Sequence, residues 1–254
     1  MVRQRLDILL TERGLAESRA QARLLILAGK VRVDGQVQAK AGLAMDEEST
    51  LEVEVPPRFV GRGGEKLEAA LEAFSIDPRG KSCLDVGAST GGFTDCLLQQ
   101  GAAHVVALDV GKGQLHWSLR QNPRVTVMEG VNARHLTRSD FSGSFDLAVI
   151  DVSFISLTKI MPSIVCLMKP GGCMVTLVKP QFEAGRRQVQ RGGVVRDPDV
   201  HREVIERIES FGTGPLGLKQ IGTLPSPIRG GRSGNTEFLI GWRIRSASCE
   251  TGCS

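Results

Sequence analysis

Between residues 82 and 98 the chain reads as strand, tight turn, helix. Cys83-Leu84-Asp85-Val86 is apolar except for one acid. Gly87-Ala88-Ser89-Thr90-Gly91-Gly92 is built of small residues, and Phe93 to Leu98 has helical spacing. Glycines let a backbone turn sharply and let a ligand approach main-chain N–H groups. The N-terminus of the helix that follows favours polar or negative ligand groups. Roughly 20 residues on, Asp109 closes a second apolar run, Val105-Val106-Ala107-Leu108, where an acid commonly grips a ribose. The turn alone is a weak signal. Joined to the spaced acid, it points to an adenosine-containing cofactor.

Apolar runs recur at 82–86, 105–109, 125–128, 147–151, 173–178, 218–223 and 238–242, with helical segments between most of them. Such alternation predicts an α/β fold, a Rossmann-like, doubly wound, mostly parallel sheet whose ligands bind beyond the carboxyl ends of the strands. Asp85, Asp109, Glu129, Asp151 and Lys179 all fall at or just after those ends. A dehydrogenase would share the outline, so the polar residues must discriminate. His104, His116, His135 and His201 are scattered, and none pairs with a Ser or Tyr as hydride transfer or hydrolysis would require. No Walker sequence and no cluster of metal ligands is present. Two lysines and two acids stand out instead: Lys66 before the first strand, Asp151 ending the fourth, Lys179 ending the fifth and Glu237 before the last. Lys179 precedes a proline and would sit half inside the site, where burial disfavours an ammonium.

The 254 residues allow a small domain beside a large one. No apolar run approaches the ~20 residues needed to cross a bilayer, and no signal-peptide core follows Met1. Six scattered cysteines read as reduced, cytoplasmic usage rather than a disulfide framework. Cys249 and Cys253 fall in a polar tail. Net charge is +4. Residues 1–40 hold eight Arg or Lys against four acids, an excess as large as that of the whole chain. A small basic unit on a neutral body suggests a polyanionic partner. A solvated helix face would carry the same charge.

In that unit Leu6, Leu9 and Leu10 share a helix face that Gly14 ends, and Ser18 caps a second helix. Asp34-Gly35 between Val31-Arg32-Val33 and Val37-Gln38 is a hairpin signal. Leu51-Glu52-Val53-Glu54-Val55 alternates as a further strand. Two short helices on a small sheet are expected, with Leu6, Leu24 and Val33 in the core. Arg5-Leu6-Asp7, Arg13-Gly14-Leu15-Ala16-Glu17-Ser18-Arg19 and Ala28-Gly29-Lys30-Val31-Arg32-Val33-Asp34-Gly35 resemble the RNA-binding domain first seen in ribosomal protein S-four. The resemblance implies RNA contacts from Arg3, Arg5, Ser18, Arg19, Arg23 and Lys30. Such contacts go to phosphates and RNA shape, giving affinity rather than sequence choice. The expected organisation is an RNA-binding domain at 1–56, a linker at 57–64 (stiff at its start, flexible at its end), a methyltransferase-type domain at 65–244 and a tail at 245–254.

Lys66, Asp151, Lys179 and Glu237 resemble the Lys-Asp-Lys-Glu set of the FtsJ-like 2′-O-methyltransferases. Within that group, the chain is similar to the TlyA family of ribosomal RNA methyltransferases from residue 1 to about 244. The stretches that carry this run from Ser82 to Thr94, from Asp109 to Leu115, from Asp151 to Leu157 and from Leu177 to Glu183, with Gly192-Gly193-Val194-Val195 and Gly234-Asn235-Thr236-Glu237. The basic run Arg229-Gly230-Gly231-Arg232 has no place in that pattern.

The resemblance implies S-adenosylmethionine on Asp85, Gly87, Ala88, Ser89, Thr90, Gly91, Gly92 and Phe93. Asp109 would take its ribose, and Glu129 and Asn132 would reach its adenine. It implies a cytidine 2′-hydroxyl of ribosomal RNA, within ribosomal subunits, as the nucleophile. Lys179 is then the general base, its amine favoured by burial and by the second lysine, with Lys66 as neighbouring cation and Asp151 and Glu237 as orienting charges. Asp85 either braces the turn or touches the ligand. Trp117 is read as covering the sheet rather than stacking on the cofactor. Phe154 and Phe182 either stack a flipped nucleotide or pack in the core. Arg186, Arg187, Arg191 and Arg196 lie in a glycine-containing loop that either closes over RNA or is solvated. Two rival functions are an RNA-binding protein with an inert methyltransferase domain and a membrane-active haemolysin-like protein. A base methyltransferase would carry an Asn-Pro-Pro-aromatic element where this chain has Asp151-Val152-Ser153-Phe154.

Overall fold

The computed structural model describes residues 3–54, 57–231 and 234–245. Val55 and Pro56 at the end of the expected RNA-binding domain, Arg232 of the basic run, and Cys249 and Cys253 lie outside the described residues. The chain divides into two compact units, Met1–Pro57 and Arg58–Ser254.

The small unit runs β1 (Arg3–Arg5), α1 (Leu6–Glu12), α2 (Arg19–Leu27), β2 (Val31–Val33), β3 (Gln36–Val37), β4 (Ala44–Asp46) and β5 (Leu51–Val53). β2 is the centre of an antiparallel sheet with β3 and β5, and β1 pairs with β4 in a second ladder. The hairpin turn falls at Asp34 and Gly35, both with positive φ. Ser18 caps α2 by accepting the Gln21 N–H at 3.2 Å. Leu6, Leu10, Ala22, Ile26, Val31 and Val33 form the core. Leu24 does not belong to it and is 68% exposed. α2 turns Ala22 and Ile26, one helical turn apart, inward, so Leu24 midway between them lies on the opposite face.

The large unit continues α3 (Gly63–Ala73), β6 (Ser82–Val86), α4 (Gly92–Gln99), β7 (His104–Asp109), α5 (Trp117–Arg120), β8 (Val125–Glu129) and β9 (Phe145–Ile150). Then come α6 (Met161–Cys166), β10 (Met168–Val178), α7 (Pro180–Glu183), α8 (Pro198–Thr213), β11 (Lys219–Pro225) and β12 (Phe238–Arg243). All seven expected strands are present in one sheet of order β11-β12-β10-β9-β6-β7-β8. β12 alone runs opposite to the other six strands. β6 pairs in parallel with both β7 and β9. Strand order reverses there, which puts the ligand crevice at the ends of β6 and β9. A buried apolar layer covers each face of the sheet.

Residues 58–64 are packed rather than flexible. Phe59 is buried against α3 and α4 residues, and the Val60 N–H donates to Asp95 Oδ2 at 2.8 Å. α3 begins at Gly63, inside the expected linker. Trp117 does not cover the sheet: it is 72% exposed, because α5 turns Leu119 inward instead.

Candidate active site

Gly87 ends β6 in a positive-φ conformation, and a Cβ there would overlap the Asp151 carbonyl. No other residue type lets the turn approach the end of β9 so closely. The Gly87 and Ala88 N–H groups both donate to the Leu108 carbonyl of β7, at 2.8 and 3.0 Å. The glycine turn therefore ties together the carboxyl ends of three neighbouring strands.

Two cavities flank the turn, and Gly87, Ser89 and Asp151 line both. The first, of about 320 Å³, is walled by Arg62, Lys66, Ala88, Thr90, Gly92 and Phe93, with Ile228 and Arg229 opposite. The second, of about 400 Å³, holds Asp109, Asn132 and the apolar residues Val110, Ala133, Ile155 and Ile160. A polar rim over an apolar slot fits a ring system attached to hydroxyls, as in a nucleoside.

Most of the expected ligand residues meet at these cavities. Asp109 sits at the rim, and its carboxylate already accepts the N–H groups of Ser89 and Gly111, at 2.8 and 2.7 Å. Each oxygen keeps a further lone pair for a hydroxyl. Asn132 lines the apolar cavity and accepts the Arg134 N–H. Three residues are placed elsewhere. Gly91 backs onto Leu115 and Leu119. Glu129 pairs with Arg120, and its pKa is lowered by the Gly113 N–H and by Arg120. It holds the 111–114 loop and lines neither cavity. Asp85 is fully buried beneath the turn, with Oδ2 accepting the Thr94 hydroxyl at 2.6 Å. That bond ties it to α4. Oδ1 has no partner. Burial pushes its pKa up to about 7, and the nearby Asp151 and Asp109 carboxylates add to the rise.

The four expected catalytic residues form two ion pairs. Lys66, on α3, donates to Glu237 Oε2 at 2.5 Å, and both side chains are almost fully buried. Lys179, just past β10, lies 2.5 Å from Asp151 Oδ1 and donates to Ser153 Oγ at 2.9 Å. Each lysine faces its own carboxylate rather than the other lysine. Ser153 stands in the Asp151-Val152-Ser153-Phe154 stretch, where spacing alone gives it no role beside Lys179. Phe154 is not in the core. It is 89% exposed with a φ of 65°, and its ring lies 4.8 Å from that of Phe182. This leaves an aromatic surface open beside Lys179.

In the small unit, Asp7 is fully buried and accepts hydrogen bonds from Arg5 and Arg23 at 3.0 Å and from Arg19 at 3.4 Å. Those guanidiniums hold its carboxyl well below the usual range, Arg5 most strongly. Three of the six expected RNA contacts are thus gathered by one acid while remaining about half exposed. Arg3 is exposed, and Lys30 pairs with Glu54.

A doubly wound sheet of this strand order, a glycine turn facing an acid on the next strand, and lysine–carboxylate pairs at the crevice define a Rossmann-like methyltransferase. Residues 59–244 match the FtsJ-like methyltransferase family and residues 4–47 match the S4 domain, and the chain belongs to the FtsJ-like methyltransferase family. It is 48% identical over 246 residues to the 16S/23S rRNA (cytidine-2'-O)-methyltransferase TlyA of Mycobacterium tuberculosis, covering 96% of this chain and 91% of that one. It is 49% identical over 240 residues to the Bacillus subtilis protein YqxC, covering 94% and 85%. A solved structure from Streptococcus thermophilus, named as a hemolysin, shares 43% identity with a TM-score of 0.73 and covers 96% and 90% of the two chains. No helix among the described residues is long and apolar enough to cross a membrane.

Asp85 gives the site a pH signature. An unfolded Asp titrates near 3.9, so a native pKa of about 7 means that the folded protein keeps a proton the unfolded chain releases. The stability this group confers is complete below about pH 4 and is lost as pH rises through about 7. Asp85→Asn cannot ionise. Its melting temperature relative to the unaltered protein is expected to climb between pH 5 and pH 8. A pH-independent difference would show that Asp85 is not held protonated.

Proposed function

We propose that this protein uses S-adenosylmethionine to methylate the ribose 2′-hydroxyl of a cytidine in ribosomal RNA in the cytoplasm. One observation carries the reading: Asp151, paired with Lys179, lines both the apolar cavity and the basic one. A nucleoside-sized pocket and a proton-handling pair therefore share a residue. Family membership and the printed activity of the Mycobacterium tuberculosis relative support the substrate class.

Asp109, Asn132 and the apolar wall would hold the adenosine end of the cofactor, and the turn from Gly87 to Gly92 its amino-acid end. When bound, the cofactor supplies an electrophilic methyl group on a sulfonium. Lys179 takes the proton leaving the 2′-hydroxyl. Asp151 and Ser153 hold its Nζ in place. Lys66 and Glu237 fix the opposite wall. In-line placement of hydroxyl and methyl supplies much of the rate. Phe154 and Phe182 offer a stacking surface for the base of the target nucleotide. The arginines around Asp7 contact RNA phosphates.

Lys179→Ala is expected to lower methyl transfer by on the order of 10²–10⁴-fold, while calorimetry finds cofactor affinity near that of the unaltered protein. Transfer that persists at its original rate would remove Lys179 as the base. Deleting residues 1–55 is expected to weaken binding to structured ribosomal RNA and to flatten its salt dependence. Unchanged binding would give the small unit another role.

A further inference from the structure

The basic run at 229–232 is the one conspicuous sequence feature that the family pattern leaves without a role, and the structure puts its first residue at the site. Arg229 lines the cavity that holds Lys66 and Asp151. It also lines a neighbouring cavity of about 320 Å³, together with Arg196, His201 and Thr236. The two cavities meet at Arg229. We propose that Arg229 and Arg196 form a phosphodiester-binding cleft that holds the RNA strand beside the target ribose. This deepens the reading above and rests on it.

The position of both arginines is built rather than incidental. Gly230 is buried, and its N–H donates to the Asn235 carbonyl at 2.9 Å. A Cβ on Gly230 would overlap the Glu237 carboxylate, so the residue next to Arg229 packs directly on the Lys66 pair. Asn235, 1% exposed, accepts the Val195 N–H at 2.9 Å and donates to the Gly193 carbonyl at 2.8 Å. One buried amide thus fastens the segment that carries Arg196 to the segment that carries Arg229.

The electrostatics select an anion. Neither arginine forms an ion pair with a carboxylate among the described residues, and both are exposed. No acid lines the outer cavity. The one acid lining the inner cavity, Asp151, already faces Lys179. The outer cavity shares no residue with the glycine turn or the apolar slot. Its occupant is therefore not the cofactor, and a concave pair of planar guanidiniums suits a phosphodiester. Continuity of the two cavities through Arg229 makes that phosphate a near neighbour of the reacting ribose.

The test uses the full chain with Arg229→Gln, Arg196→Gln, the double variant and Arg229→Lys. Binding of a labelled ribosomal RNA fragment is followed by anisotropy across a salt series, alongside methyl transfer and calorimetry with S-adenosylmethionine. Each Gln variant is expected to weaken RNA binding by about 10-fold and to lower the slope of log affinity against log salt by about one. The double variant should lose about two. The loss in transfer should be carried mainly by KM for RNA, with Arg229→Lys recovering most of it and cofactor affinity unchanged. Unchanged RNA affinity and slope would overturn the cleft. So would weakening of the cofactor alone, which would assign Arg229 to the cofactor carboxylate. If the unaltered protein binds RNA but transfers no methyl group, the enzymatic reading fails, and the anisotropy series still decides the cleft.

Discussion

The close approach of Gly87 to the carbonyl of Asp151 is the contact on which the site depends. It joins the ends of β6 and β9, the two strands between which the sheet reverses its order. The Asp151 N–H completes the junction by donating to the Val86 carbonyl at 2.9 Å. A side chain at position 87 would push β9 away, and Asp151 and its partner Lys179 would move with it. The same junction is the wall shared by the nucleoside-shaped cavity and the basic one. The turn and the backbone of Asp151 are thereby fixed against each other, and both cavities share that wall.

Charge is arranged in two layers around that wall. Next to it, Lys66–Glu237 and Lys179–Asp151 are neutral pairs, their partners held in place by burial. Removing one member of such a pair leaves the other uncompensated, which is why each is a fixed point of the site. Farther out, Arg62, Arg229 and Arg196 have no carboxylate among the described residues. Positive charge without a carboxylate partner thus lies on these arginines and not on the two lysines. The small unit repeats the principle with Asp7, where one buried acid organises three arginines and leaves an excess of positive charge at the surface.

The sheet was legible because its strands are apolar runs bounded by small or polar residues, and the row of polar residues at their ends was legible for the same reason. What escaped depended on direction or on distance along the chain. Leu24 and Trp117 are apolar residues that face water, and composition cannot tell which face of a helix turns inward. Glu129 stands at the right strand end, but its side chain is claimed by Arg120 and the Gly113 N–H. The β1–β4 ladder joins two three-residue strands some forty positions apart, too short to show a period. Phe154 looked equally suited to core and to surface, and only its left-handed backbone turns it outward. The apolar slot of Val110, Ile155 and Ile160 is assembled from separate loops, none of which is distinctive alone.

The central claim is that a glycine turn and a lysine–carboxylate pair sharing one wall deliver a methyl group to an RNA ribose. Its most direct test is transfer of a radiolabelled methyl group from S-adenosylmethionine into purified ribosomal subunits that lack the modification, followed by mapping of the labelled nucleotide. The account predicts label on the 2′-oxygen of a cytidine ribose. Label on a base, or none in any ribosomal RNA, would contradict it.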